Sequence, residues 1–384
     1  MSADQPNADE PNADEPSVDQ PADPGPAAID PRLLKLRERI DAIDAQMLDL
    51  LNARGICAQE VGEIKSESDA PVYRPEREAQ IFERLRALSK GPLPGASIEA
   101  IYREVISACR ALERRLRVAY LGPPGTFSEQ AAHKHFGHGI EALACATIDE
   151  VFRRTESGDA DFGVAPIENS NEGAISRTLD LLLESPLTVS GEISIPVRHC
   201  LMSQGGTLEG IERICAHPQA LAQCSGWLDR NAPGIERMPA SSNAEGARLA
   251  AADPKLAAIA GEPAARTYGL ALIGEGIQDS PANRTRFVVI GTYQCAASGA
   301  DLTSLILSVP DRAGAVHRLI EPLARHGVSM KRFESRPARR GDWEYFFYVD
   351  ILGHKDDEAV AAALAEIRDH AAYFQVIGSY PRAS

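Results

Sequence analysis

The sequence predicts a multidomain protein in which an all-α segment, a two-lobed α/β segment and an α+β ferredoxin-like segment follow one another. Three observations carry this. Apolar residues first recur at helical spacing; short β-rich runs then alternate with helical ones over about 175 residues; and the last 80 or so read strand, helix, strand, strand, helix, strand. With 384 residues, 44% of them hydrophobic and 25% charged, the chain is long enough for two or three separate cores.

Residues 1–28 repeat "PNADE" and are rich in Pro, Asp and Ala, a composition that buries too little apolar surface to offset the entropy of ordering. This acidic Pro-rich tail is expected to be disordered. Residues 29–116 form the predicted helical domain. Leu33, Leu36, Ile40, Ile43, Met47, Leu50, Leu51, Ile56, Val61 and Ile64 mark one long amphipathic helix from Pro31 to about 67. At 1.5 Å per residue it spans roughly 55 Å. A second helix is expected near 74–89 and, after "GPLPG", a third near 97–115. Three helices, one so long, cannot close a compact monomeric core, so a partner chain is expected.

Residues 117–295 alternate strands (VAYLG, DFGVAP, ERICA, LAAIAG) with helices, the pattern of a largely parallel sheet in two lobes. Ligands of such sheets sit where strands hand over to helices. Residues 301–384 carry the βαββαβ order of a separate small domain.

The net charge of -15 comes largely from the first thirty residues, where eight acidic groups meet no Lys or Arg; the remainder carries -7. Without a basic excess, nucleic acid and anionic membrane are excluded as expected partners. Seven scattered cysteines without a CxxC pair suit reduced thiols in a cytosol. The start has the features of neither a signal nor a transit peptide, and no apolar run approaches the ~20 residues of a membrane span. A cytoplasmic protein is expected.

Arg37, Arg54, Lys65, Arg77, Glu78 and Glu113 are the first candidate functional residues. Arg54 and Lys65, eleven residues apart, share one helix face, whereas Arg37 lies about 25 Å from Arg54 along the axis and reaches a shared ligand only from another subunit. Taken alone, the same set also describes a solvated charged face. "LLKLRERIDAIDAQMLDLLNAR", "VGEIK" and "YRPEREAQI", in order, resemble the all-helical chorismate mutase family. That resemblance implies that Arg37, Arg54, Lys65, Arg77 and Glu78 are active-site residues, with Arg37 donated by a second protomer and Arg74 and Cys109 contacting substrate. It also places Lys65 and Glu113 beside the ether oxygen of chorismate, a dianion whose rearrangement needs fixed cations and neither nucleophile nor metal.

In the middle segment, "GPPGTFSEQAA" and "SSNAEGA" each present a capped helix N-terminus, with capping boxes Thr126/Glu129 and Ser242/Glu245. Together with "PIENSNEGAISRTLD", "HPQALAQC" and "NRTRF" they resemble prephenate dehydratase from about residue 118 to 293. The resemblance implies that Thr285 acts at the reacting centre. It puts Thr126, Ser128, Glu168, Asn169, Ser170, Ser241, Ser242, Asn243, Asn283, Arg286 and Phe287 around the substrate, with the arginines of "NRTRF" on prephenate's carboxylates. An alcohol is a poor proton source, so Glu168 stays a rival or helper acid to Thr285.

"DRAGAVHRLIEPLARHGVSMKRFESRP" and "DWEYFFYVD" are similar to the ACT regulatory module, which implies phenylalanine binding by Gly314, Ala315, Glu334, Ser335, Arg336 and Pro337. The collinear order resembles the bifunctional chorismate mutase/prephenate dehydratase family. It implies conversion of chorismate to prephenate and of prephenate to phenylpyruvate, feedback by phenylalanine, a homodimer or higher homo-oligomer, and no cofactor. The competing readings are a non-catalytic amino-acid sensor and an arogenate-preferring dehydratase. "HKHFGH" (133–138) carries no expectation of a metal, because two histidines at i, i+2 diverge on a helix. Trp227 and Trp343 are expected in cores or interfaces.

Overall fold

The computed structural model describes residues 30–66, 71–337 and 345–383; the expected tail and Trp343 lie outside these. The chain divides into two compact units, Met1–Ala53 and Arg54–Ser384. Helix α1 (Pro31–Ser66) begins in the first and ends in the second as one uninterrupted element, as its proline-free periodicity dictates. In the first unit its apolar positions face solvent: Leu36 and Ile40 are each 54% exposed and Leu50 is 70% exposed. A continuous apolar stripe of that kind marks an interaction surface.

The second unit opens on the rest of α1, then α2 (Pro75–Leu88), with proline in its first turn, and α3 (Gly95–Glu113). A Cβ on Gly62 would stand 2.7 Å from the Glu113 side chain, so only glycine lets α1 pass α3 this closely. Just before α2, Tyr73 is buried against the rings of Phe136 and Phe162, at centroid distances of 5.0 and 5.2 Å.

The α/β segment folds as two lobes. The first contains β1 (Arg117–Leu121), α4 (Phe127–Phe136), β2 (Glu141–Cys145), α5 (Ile148–Glu156), β3 (Phe162–Asn169), β4 (Gly173–Ala174), α6 (Ser176–Glu184) and β5 (Thr188–Pro196). The second contains β6 (Cys200–Ser203), β7 (Arg213–Ala216), α7 (Pro218–Gln223), α8 (Ser225–Asn231), β8 (Glu236–Pro239), α9 (Asn243–Ala252), β9 (Leu256–Ala260), α10 (Glu262–Tyr268) and β10 (Ala271–Gly274). The chain then returns to the first lobe through β11 (Arg284–Gly291).

The sheet orders are β2-β1-β3-β11-β5, with β4 on β3, and β10-β6-β9-β7-β8. Both sheets are mixed rather than largely parallel: β11 runs antiparallel between β3 and β5, and β6 runs antiparallel to β9 and β10. In the first sheet the reason is the return strand. It brings its first residues, Arg284 and Thr285, beside the last residues of β3, so Thr285 pairs with Asn169 where the two lobes join.

The C-terminal domain is β12 (Asp301–Ser308), α11 (Ala315–Arg325), β13 (Met330–Pro337), β14 (Tyr345–Leu352), α12 (Glu358–His370) and β15 (Tyr373–Pro381), in the order β13-β14-β12-β15 of a ferredoxin-like sheet. It packs on the first lobe. The Tyr348 hydroxyl donates to the Leu179 carbonyl at 2.8 Å, and a Cβ on Gly378 would collide with the Val189 carbonyl oxygen, so β15 reaches β5 only through glycine.

Candidate active sites

In the helical segment of the second unit, Lys65 stands beside Glu113, and Arg54 lies near enough to Glu78 to act on its charge. Lys65 Nζ lies 3.3 Å from Glu113 Oε1 and 3.4 Å from Oε2, joining the end of α1 to the end of α3. Glu78, on α2, is buried. Burial pushes its carboxyl above the ordinary range, while Arg110, Arg103 and Arg54 pull it back. Arg54 is half-buried and Cys109 is buried on α3 one turn before Glu113. Arg77 and Arg74 are exposed, and Arg74 Nε pairs with Glu76 Oε1 at 2.9 Å. Arg37 is exposed on α1 in the first unit.

Where the lobes join, a hydrogen-bonded chain of side chains runs from one to the other. Asn169 Nδ2 donates to Thr285 Oγ1 at 2.9 Å and to Asn283 Oδ1 at 3.0 Å. The backbone N–H of Asn171 donates to Asn169 Oδ1 at 3.0 Å, which fixes which end of that amide is oxygen. Thr285 Oγ1 therefore accepts a hydrogen bond from Asn169, and its own hydroxyl hydrogen is left to donate elsewhere. Asn283 Nδ2 in turn donates to Gln223 Oε1 at 3.1 Å, and His199 Nε2 reaches the same oxygen at 3.0 Å. That oxygen only accepts, so His199 carries its proton on Nε2; burial pulls the ring below its ordinary range and keeps it neutral. Ser170 Oγ accepts from the Arg284 N–H at 3.0 Å and closes the turn.

Both helix N-termini carry the side-chain cap the sequence foretells, but the reciprocal glutamate contact shifts to Gly125 at α4, and at α9 Glu245 pairs with Arg248 instead. Thr126 Oγ1 accepts from Glu129 N at 3.4 Å while Glu129 Oε2 accepts from Gly125 N at 2.6 Å, and Ser128 is buried in the first turn of α4. Ser242 Oγ accepts from Glu245 N at 3.0 Å at the start of α9, with Ser241 exposed before it. Asn243 Oδ1 accepts from the His217 N–H at 3.0 Å and ties α9 to the start of α7.

Three expected substrate contacts lie elsewhere. Arg286, one residue from Thr285, leaves the opposite face of its strand. Its Nη1 donates to Glu192 Oε2 and to Asp350 Oδ2 at 3.0 Å each, so it is an ion-paired link to β14 rather than a clamp in the cleft. Burial pulls this guanidinium down, but Asp350 and Glu192 more than offset it and hold it above its ordinary value. Glu168 follows the same alternation: Arg332 Nη2 pairs with its Oε2 at 2.5 Å, which turns it away from Thr285 and removes it as the rival acid. Phe287 is 1% exposed in the core of the first lobe.

On the C-terminal domain, Gly314 caps α11, Ala315 is buried, Glu334 is half-buried and Ser335 and Pro337 are exposed. Arg336 is committed to the first lobe: its Nη2 pairs with Asp180 Oδ1 at 3.1 Å on α6. In "HKHFGH", His133 and His138 stack at 4.6 Å and His138 Nδ1 faces Glu104 Oε1 at 2.8 Å. Among the described residues, no group of three or more His, Cys, Asp or Glu stands close enough to hold a metal ion, and no helix is long and apolar enough to cross a membrane.

Comparison with known proteins bears on both sites. Residues 36–114 match the family model "Chorismate mutase type II", residues 118–295 "Prephenate dehydratase" and residues 303–369 "ACT domain". A bifunctional chorismate mutase/prephenate dehydratase of Neisseria gonorrhoeae is 49% identical over 358 residues, covering 92% of this chain and 98% of that one. The chain belongs to the bifunctional chorismate mutase/prephenate dehydratase family. It is an enzyme with both domains and an ACT domain after them.

Among solved structures, a prephenate dehydratase from Arthrobacter aurescens in complex with L-Phe matches with a TM-score of 0.64 at 34% identity, over 70% of this chain and 90% of that one. A chain described as GqqA, a novel type of quorum quenching acylase, matches equally well in fold, with a TM-score of 0.64 at 27% identity over 70% of this chain and 98% of that one. The fold alone therefore does not fix the chemistry, and the side chains at the lobe junction must. Of these, Gln223 and His199 escaped sequence reasoning. Gln223 lies inside the quoted motif "HPQALAQC", but nothing local marks it off from Gln219; His199 follows a strand and carries no pattern of its own.

Proposed function

We propose that the chain converts chorismate to prephenate in the helical domain and prephenate to phenylpyruvate between the two lobes, under feedback by phenylalanine bound to the ACT domain. In the first reaction Arg54, Arg77 and a second protomer's Arg37 fix the dianion in its reactive conformer, with Arg74 and Cys109 as further contacts. Lys65 and Glu113, already side by side, meet the ether oxygen on which charge develops. The solvent-facing apolar stripe of α1 supports the required homodimer or larger assembly.

In the second reaction Thr285 donates a hydrogen bond to the departing hydroxyl as water and CO2 leave. The observation that carries this is the polarity of the Thr285–Asn169–Asn283 chain, which leaves the threonine O–H as the donor. The carboxylates face the N-termini of α4 and α9, where Thr126, Ser128, Ser241 and Ser242 stand, rather than Arg286. The seven thiols are free and six are buried, which fits a reducing, cytoplasmic setting.

Feedback requires phenylalanine to favour one arrangement of the ACT sheet, and the pairs Arg332–Glu168 and Arg286–Asp350 link that sheet to the neighbours of Asn169 and Thr285. Coupling of ~1–3 kcal/mol is typical, or about 5- to 150-fold. Titrating phenylalanine against dehydratase turnover tests this. Inhibition of the parent is expected, with Asp350→Asn needing several-fold more effector, about what losing part of such a coupling implies. A parent enzyme indifferent to phenylalanine would sink the regulatory reading.

A further inference from the structure

We propose that Arg110 is a positioning residue for the mutase reaction, holding the Glu78 carboxylate in place from a seat on the dehydratase domain. The inference rests on the reading of Glu78 as a mutase site residue. Arg110 lies on α3 beside Cys109 and its side chain is only 8% exposed; that of Glu78 is 11% exposed. Nη1 of Arg110 donates to Glu78 Oε1, while Nη2 donates at 2.6 Å to the carbonyl of Phe136, the last residue of α4.

Each hand of the guanidinium has a physical reason. An orphan carbonyl at a helix C-terminus carries the negative end of the helix dipole and favours a cation. A carboxylate buried to this degree needs a compensating charge to stay ionised and in position. Only the planar fork of arginine serves both from one residue; a lysine ammonium is a point charge that reaches one or the other. The fork is itself fixed from below. Its Cζ sits 4.9 Å from the centroid of the Tyr73 ring, and the Tyr73 hydroxyl is held 2.8 Å from His135 Nε2, one residue before Phe136.

The Glu78 carboxylate is therefore oriented by the end of a dehydratase helix, through the one side chain that joins them. A double-mutant cycle in the full chain tests this, using Arg110→Met, Glu78→Gln and the double variant. Mutase kcat and KM are the readout, and dehydratase turnover of the same preparations reports folding. Arg110→Met is expected to lower mutase kcat/KM about 10- to 100-fold in the parent, and by less than about threefold once Glu78 is already glutamine. Arg110→Lys, which keeps the charge without the fork, is expected to fall between parent and Arg110→Met.

Equal losses in both backgrounds would show that Arg110 does not act through Glu78. Parallel loss of dehydratase turnover in both the Met and Lys variants would show a merely structural residue. A silent Glu78→Gln would instead remove the site assignment of Glu78, and the inference with it.

Discussion

Replacing Thr285 by valine is expected to abolish dehydratase turnover while mutase turnover continues unchanged. Valine keeps the shape and the β-branched fit to β11 and deletes only the hydroxyl. Asn169 and Asn283 keep each other as partners at 3.0 Å, so the chain between the lobes survives the substitution. What disappears is the threonine hydroxyl hydrogen, which the bond accepted from Asn169 leaves free to donate. Loss of a positioned donor to a leaving group costs on the order of 10²–10⁴ in rate. Parallel assays with prephenate and with chorismate separate the two activities, and a valine enzyme that still dehydrates prephenate at a tenth of the parental rate or better, well outside that range, refutes the assignment.

The second large effect is expected at Lys65. Lys65→Met keeps the length of the side chain and removes its charge, so the packing of α1 on α3 at Gly62 stays as it is. Mutase turnover is expected to fall by about 10²–10³, the scale for removing one preorganised charge from a developing oxyanion. Dehydratase turnover, measured from prephenate, is expected to hold. Equal loss of both activities would mean that the substitution has damaged the fold rather than the site.

What was legible in the sequence is what local chemistry decides. The N-caps Thr126 and Ser242 needed only four consecutive residues, and the βαββαβ order of the C-terminal domain needed only hydrophobic periods. The long helix and its apolar stripe were equally plain. Arg286 and Glu168 were misplaced for a definite reason. Their strands are covered on both faces, so the apolar parts of "FGVAPIEN" and "RTRFVVIG" run on without alternation and nothing tells which face a terminal charge leaves. Only when the ACT domain is seen packed on the first lobe do Asp350 and Arg332 supply their counter-charges. Arg336 escaped in the same way, since its partner Asp180 lies over 150 residues away in sequence. Gln223 and His199 bond each other directly across 24 residues, and Asn283 joins them from 60 residues beyond Gln223, contacts no linear pattern encodes.

The fall of dehydratase activity at Thr285 and of mutase activity at Lys65 both presuppose that one chain performs two successive reactions at two places. Supplying chorismate alone to the purified intact protein, and following prephenate and phenylpyruvate separately over time, tests that claim most directly. The expected record is prephenate formed first and phenylpyruvate after it, with no added metal or cofactor. Chorismate left unconsumed, or prephenate accumulating without any phenylpyruvate, would contradict it.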